Sequence, residues 1–153
     1  MKKTTILYIL FLGVLSFIAC SKEDEGGNAT KVSSYGSQQS HNMGRNCMDC
    51  HASGGSGEGW FNVAGTVYDS LLTSTLPNGT IYLYTDANAT GTLKYTIQVD
   101  AKGNFYTTNN IDFSTALYPV VKGKTSNQMM NSGITTGQCN SCHGVSTDKI
   151  WTK

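Results

Sequence analysis

Between Phe61 and Lys122 apolar and polar residues alternate with a period of two, where a helix would repeat every three to four. The clearest run is 92–99, in which Leu93, Tyr95, Ile97 and Val99 alternate with Thr92, Lys94, Thr96 and Gln98. Successive strand side chains point to opposite faces, so this run predicts a strand buried on one side. Asp100-Ala101-Lys102-Gly103 predicts a tight turn into a strand over 104–108, closing a hairpin. Upstream, Phe61, Val63 and Val67 mark a first strand, and Leu76-Pro77-Asn78-Gly79 supplies turn chemistry before a strand over 80–85. A fifth strand is expected over 117–122, at an edge or bent because Pro119 cannot donate to a ladder. The class is therefore all-β. A sandwich confined to roughly sixty residues has a thin core, at a size where folding alone is marginal.

The flanks have another character. Residues 20–40 are rich in Ser, Gly, Asn and Gln and are expected to form a flexible tether. Ahead of them, Lys2 and Lys3 precede an apolar run over 6–19 that is short for a membrane span, which predicts an export signal over 1–19. The organisation expected is leader 1–19, tether 20–40, first flank 41–60, sandwich 61–124 and second flank 125–153. The formal charge is +1, and removal of the leader leaves a slightly acidic chain. No basic field speaks for nucleic acid as a partner.

Each flank carries one copy of the same word: Cys47-Met48-Asp49-Cys50-His51 and Cys139-Asn140-Ser141-Cys142-His143. Both read C-x-x-C-H, the attachment signature of c-type haem. Two thiols three positions apart on one tight turn can each form a thioether with a vinyl group of one porphyrin, and the next residue then reaches the iron. His51 and His143 are the expected proximal ligands of two covalently attached haems. A zinc ribbon or a redox C-x-x-C could use the cysteines but would not need the histidine after each pair.

The opposite axial position separates a carrier from a catalyst, because a filled iron passes electrons and an open one binds oxygen or peroxide. One other histidine exists. His41, six residues before Cys47, has enough chain to pass the haem edge and meet the opposite face; Met43 is the second candidate there. For the second iron, Met130 is the first candidate and Met129 the next, in a polar stretch that gives two adjacent methionines little reason to be core. Cross-ligation, with His41 on the second haem and a methionine on the first, is also open. Trp60, Phe61, Tyr118 and Trp151 are near enough to pack on haem or to serve as sandwich core. Five strictly antiparallel strands would put the two flanks at opposite poles; an even count would bring them together.

Several resemblances add to this reading. Phe17-Ile18-Ala19-Cys20 resembles a bacterial lipoprotein box, which implies acylation of Cys20, although Phe17 departs from the usual Leu. Ser21-Lys22-Glu23-Asp24-Glu25 is similar to the surface-export signal of Bacteroidetes lipoproteins, implying an outer-membrane lipoprotein at the cell surface. One cysteine for lipid and four for haem account for all five. The runs Val63-Ala64-Gly65-Thr66-Val67-Tyr68, Gly79-Thr80-Ile81-Tyr82-Leu83 and Gly103-Asn104-Phe105 resemble the carboxypeptidase-regulatory or transthyretin-like family, whose Ig-like sandwiches often only bind or space other modules. Asp69-Ser70-Leu71 resembles an O-glycosylation acceptor of Bacteroidetes surface proteins.

With its two haem words, the whole chain resembles small multihaem surface cytochromes. That implies a lipid-anchored electron carrier, not an enzyme, with redox proteins or other copies of itself as partners. With His/His and His/Met ligation the second haem would have the higher potential. The alternatives are a peroxidase-like haem enzyme and a surface binding module with structural haems. Only Asp49 and Glu58 near the motifs offer acid–base chemistry.

Overall fold

The computed structural model describes residues 27–153. The expected leader, Cys20 and the acidic run to Glu25 lie outside the described residues. The chain forms a small all-β sandwich of two four-stranded sheets. Its strands are β1 (Val63–Tyr68), β2 (Thr80–Tyr84), β3 (Leu93–Gln98), β4 (Asn104–Thr107), β5 (Tyr118–Lys122), β6 (Asn127–Met129), β7 (Gly137–Gln138) and β8 (Ile150–Trp151). One sheet runs β4-β1-β7 with β8 also on β1, and the other runs β3-β2-β5-β6. Val63, Val67 and Phe105 from the first meet Ile81, Leu83, Ile97 and Val121 from the second, and this apolar layer is the core.

Five strands fall where alternation predicts them, but their connections differ. β3 and β4 are not a hairpin: β3 pairs with β2, whereas β4 crosses to pair antiparallel with β1. The turn between them is held by Asp100, whose Oδ1 accepts from the backbone N–H groups of Lys102 and Asn104. Each strand buries its apolar side from the opposite sheet, which a flat hairpin could not do. β5 lies between β2 and β6, so Pro119 is not on an edge strand. It is tolerated because β6 ends at Met129, opposite Val120, where the ladder runs out.

The last flank is not separate from the sandwich. It supplies β6 to one sheet and β7 and β8 to the other, the latter two parallel to β1. These short strands make eight in place of the expected five. Part of the expected tether is docked as well: Val32 bridges Thr107, the Ser33 N–H donates to the Tyr106 carbonyl at 2.9 Å, and the Thr108 N–H donates to the Lys31 carbonyl at 2.9 Å. An exposed sheet edge has unpaired backbone groups, and this segment satisfies those of β4 through its backbone, with the Val32 side chain left 45% exposed.

β7 and β8 occupy the same edge of β1, opposite Val63-Ala64 and Val67-Tyr68 respectively. Between them the chain leaves the sheet, and the second C-x-x-C-H word sits in that gap, beside Gly65 and Thr66. The first word packs on the same strand, since the Gly44 N–H donates to Thr66 Oγ1 at 2.9 Å. β1 is consequently buried along both faces.

Candidate functional site

The two words adopt the same local structure. Each opens with a single 3-10 turn, at Cys47–Asp49 and Cys139–Ser141. Cys50 (φ −110°, ψ −38°) and Cys142 (φ −111°, ψ −50°) close these turns, and the His51 and His143 N–H groups donate back to the carbonyls of Cys47 and Cys139, each at 3.0 Å. The spacing thus places both cysteines and the histidine around one turn, as the sequence requires. Asn46 caps the first turn by accepting from the Met48 N–H, whereas Gln138 makes no such bond. The common geometry therefore does not come from a common cap.

Both imidazoles are oriented by backbone carbonyls. His51 Nδ1 lies 3.0 Å from the Gly59 carbonyl and 3.2 Å from that of Glu58; His143 Nδ1 lies 2.7 Å from the Asp148 carbonyl. A carbonyl can only accept, so Nδ1 carries the proton in each ring and Nε2 keeps its lone pair, the state of a metal-ligating histidine. Phe61 stacks on His51 with centroids 4.3 Å apart, and Tyr106 stacks on Phe61 at 4.8 Å. A Cβ at residue 57 would come within 2.6 Å of His51 Nδ1, so the loop that presents the carbonyls needs Gly57 to pass the ring.

Each histidine lines its own cavity. The first, about 720 Å³, is bordered by His41, Arg45, Cys47, Cys50, His51 and Phe61. The second, about 740 Å³, is bordered by Met129, Met130, Cys139, Cys142, His143 and Trp151, and reaches the core residues Val63, Leu83 and Phe105. Both volumes lie in the range of cofactor sites, about 300–1,000 Å³. The ring centroids of His41 and His51 are 6.0 Å apart. One iron between two imidazoles, with metal–nitrogen bonds of about 2 Å, calls for a separation of about 6 Å. The spacing of the histidine pair in the first cavity is thus compatible with an iron between them, and the second cavity offers His143 with Met129 and Met130 on its wall.

His41 thus lies with the first motif and the methionine pair with the second, an arrangement that does not bring the cross-ligated set together. Met43 lines neither cavity. Phe61 and Trp151 border the cavities, whereas Trp60 and Tyr118 do not.

The thiols speak against the other uses of a C-x-x-C pair. Burial pushes Cys139 up to about 12, with Cys47 adding to the rise; burial, with a smaller contribution from Asp49, also raises Cys47. A redox pair works through a lowered thiol pKa. Among the described residues no three His, Cys, Asp or Glu side chains converge as metal ligands, which a closed zinc centre would need. A thioether carries no charge and suits both half-buried positions.

Sequence reasoning missed Gly57, which only the glycine-rich run over 54–59 hinted at, and the buried polar residues Thr66, Asn104 and Asn140. Of the two candidate acids, Glu58 pairs with Lys31 at 2.8 Å and Asp49 accepts from Asn46 Nδ2 at 2.6 Å. Comparison with protein-family models, curated proteins and solved structures gives no match.

Proposed function

We propose that this protein is a dihaem c-type electron carrier, anchored through Cys20 to the outer membrane and working at the cell surface. The observation that carries the reading is the repeated turn, in which two thiols and a histidine with a free Nε2 border one cofactor-sized cavity, twice. Cys47 and Cys50 would hold one haem and Cys139 and Cys142 the other, with His51 and His143 as proximal ligands. When bound, the haems supply one-electron exchange at iron.

The chain's part is to orient the ligands and close the axial positions. The Gly59 and Asp148 carbonyls fix the ring tautomers. With a haem in each cavity His41 would be the second ligand of the first iron and Met130 or Met129 that of the second, and irons filled in this way would favour a carrier over an enzyme. Methionine ligation and the apolar second cavity would both raise the potential of a haem bound there, so the second site would be the acceptor of the pair, with redox proteins or further copies of the chain as partners.

Mass spectrometry and ferric spectra of protein matured with haem-ligation machinery test this reading. Two covalent haems, both low-spin, are expected, with a lipid group on Cys20. A colourless protein with four free thiols sinks it; a high-spin haem that reacts with peroxide replaces it with the enzyme.

A further inference from the structure

The two attachment turns meet at a buried polar junction. Asn140, 4% exposed, occupies the gap between β7 and β8. Its Oδ1 accepts from the Thr66 N–H at 3.1 Å and so takes the place of the missing strand. Its Nδ2 donates to the Arg45 carbonyl at 3.1 Å and to Thr66 Oγ1 at 3.2 Å. Thr66 Oγ1 also accepts from the Gly44 N–H and donates to Asn104 Oδ1 at 2.6 Å. Asn104 Nδ2 in turn donates to Ser40 Oγ and, at 3.1 Å, to the carbonyl of His41.

Every polar atom of these three side chains is bonded: the hydroxyl uses its donor and both acceptor positions, and each asparagine uses both amide hydrogens and one of the two lone pairs of its oxygen. A fully satisfied buried network is rigid and costly to break. This one runs from the backbone of His41, through β1, to the residue after Cys139. The carbonyl that Asn140 grips belongs to Arg45, two residues before Cys47 along the chain, so this link outlasts the loss of the Cys47 thiol proton on thioether formation. The first cysteines of the two motifs are therefore joined through one carbonyl and one carboxamide.

We propose that Asn140 is a positioning residue that locks the two haem segments into one coupled unit, making the Cys47–Arg45–Asn140–Cys139 junction the route for electrons within a single chain. This rests on the haem reading and extends it, because the strand count alone left the separation of the two sites open. An electron moved along this route leaves one site as it arrives at the other, with no bond formed or broken and no proton needed. The coupling is reciprocal: a change of axial ligand at the first site is felt at the second, through the lock.

The test compares native holoprotein with Asn140→Asp, which keeps an acceptor for the Thr66 N–H but loses both Nδ2 donors, and with Asn140→Ala. Soret circular dichroism reads the relative placement of the two haems. Potentiometric titration with and without His41→Met reads their coupling as a double-mutant cycle. Native protein should give a bisignate Soret signal, and His41→Met should shift the midpoint of the second haem as well as the first. In Asn140→Asp the bisignate signal should fall at least two-fold and the shift at the second haem should disappear, with two haems still attached by mass. Amide exchange at Thr66 should stay slow in Asn140→Asp and speed up at least ten-fold in Asn140→Ala.

Should Asn140→Ala fail to fold, Asn140→Asp decides alone. A native signal without bisignate shape, or one that Asn140→Asp leaves unchanged, overturns the proposal. A protein without any Soret band overturns the haem reading itself, which separates the two failures.

Discussion

The same turn is set into two different surroundings. Around His51 the cavity lies against Asn104 and Tyr106 of β4, bordered by Lys31, Arg45, Asp49 and Glu58 together with His41. Around His143 it opens between the sheets onto Val63, Ile81, Leu83, Phe105 and Val121, with a methionine pair in place of the histidine. The attachment chemistry is fixed by five residues, so everything that distinguishes the sites comes from what the fold places opposite. Axial ligand and burial are two main levers on a haem potential, and with the proposed haems bound both would push the second site upward relative to the first.

Removing one haem at a time should break the symmetry most visibly. Cys139→Ala with Cys142→Ala leaves a cavity continuous with the core and is expected to cost on the order of 3–5 kcal/mol. Cys47→Ala with Cys50→Ala removes a haem from an outer face and should cost about half as much. Thermal unfolding of the two single-haem proteins, each confirmed by mass, checks the order; equal losses would mean that the second cavity is not part of the core.

Alkaline unfolding separates attached from unattached protein. Burial raises the Cys139 thiol from 9.0 to about 12. A raised acid pKa means that the folded state favours the neutral thiol, so this contribution is whole below pH 9 and declines as pH rises from 9 towards 12. Chain produced without haem should therefore lose stability over that window, and Cys139→Ala should flatten the loss. Mature protein should not show it, because a thioether has no proton to give up.

What the sequence made legible follows the kind of constraint involved. Strands β1 to β5 were visible because each has one apolar side, and the motifs were visible because the two proposed thioether bonds and an axial ligand would admit little freedom in spacing. β7 and β8 are two residues each and have no period to detect. The sheet change after Val99 and the docking of residues 31–33 on β4 depend on backbone groups that every sequence has. Asn140 stands at a variable position of its motif, so nothing local marks it; its role exists only once β1 lies beside it.

Axial substitutions bear directly on the contrast in potential. His41→Ala should turn the first haem high-spin, seen in the ferric spectrum, while the second stays low-spin. Met130→His should lower the second midpoint by on the order of 100 mV, given that protein ligands and surroundings spread haem potentials over about 0.8 V, and Met129→Leu should then have little effect. If Met129→Leu carries the shift instead, the ligand is the neighbouring methionine, and the comparison of the sites stands unchanged.

The smallest effect expected is also the most local. In Gly57→Ala the new Cβ would lie 2.6 Å from His51 Nδ1, tighter than van der Waals contact permits. The ring or the loop has to move, and the bonds from Nδ1 to the Gly59 and Glu58 carbonyls lengthen. Those bonds make the imidazole a stronger donor and so favour ferric iron. Their loss should raise the first midpoint by about 20–60 mV, the equivalent of one hydrogen bond for a one-electron couple. His143 takes its carbonyl from Asp148 on a separate loop. A substitution that narrows the gap from the first side alone would show that the outer site owes part of its low potential to how its histidine is held, beyond which ligand lies opposite.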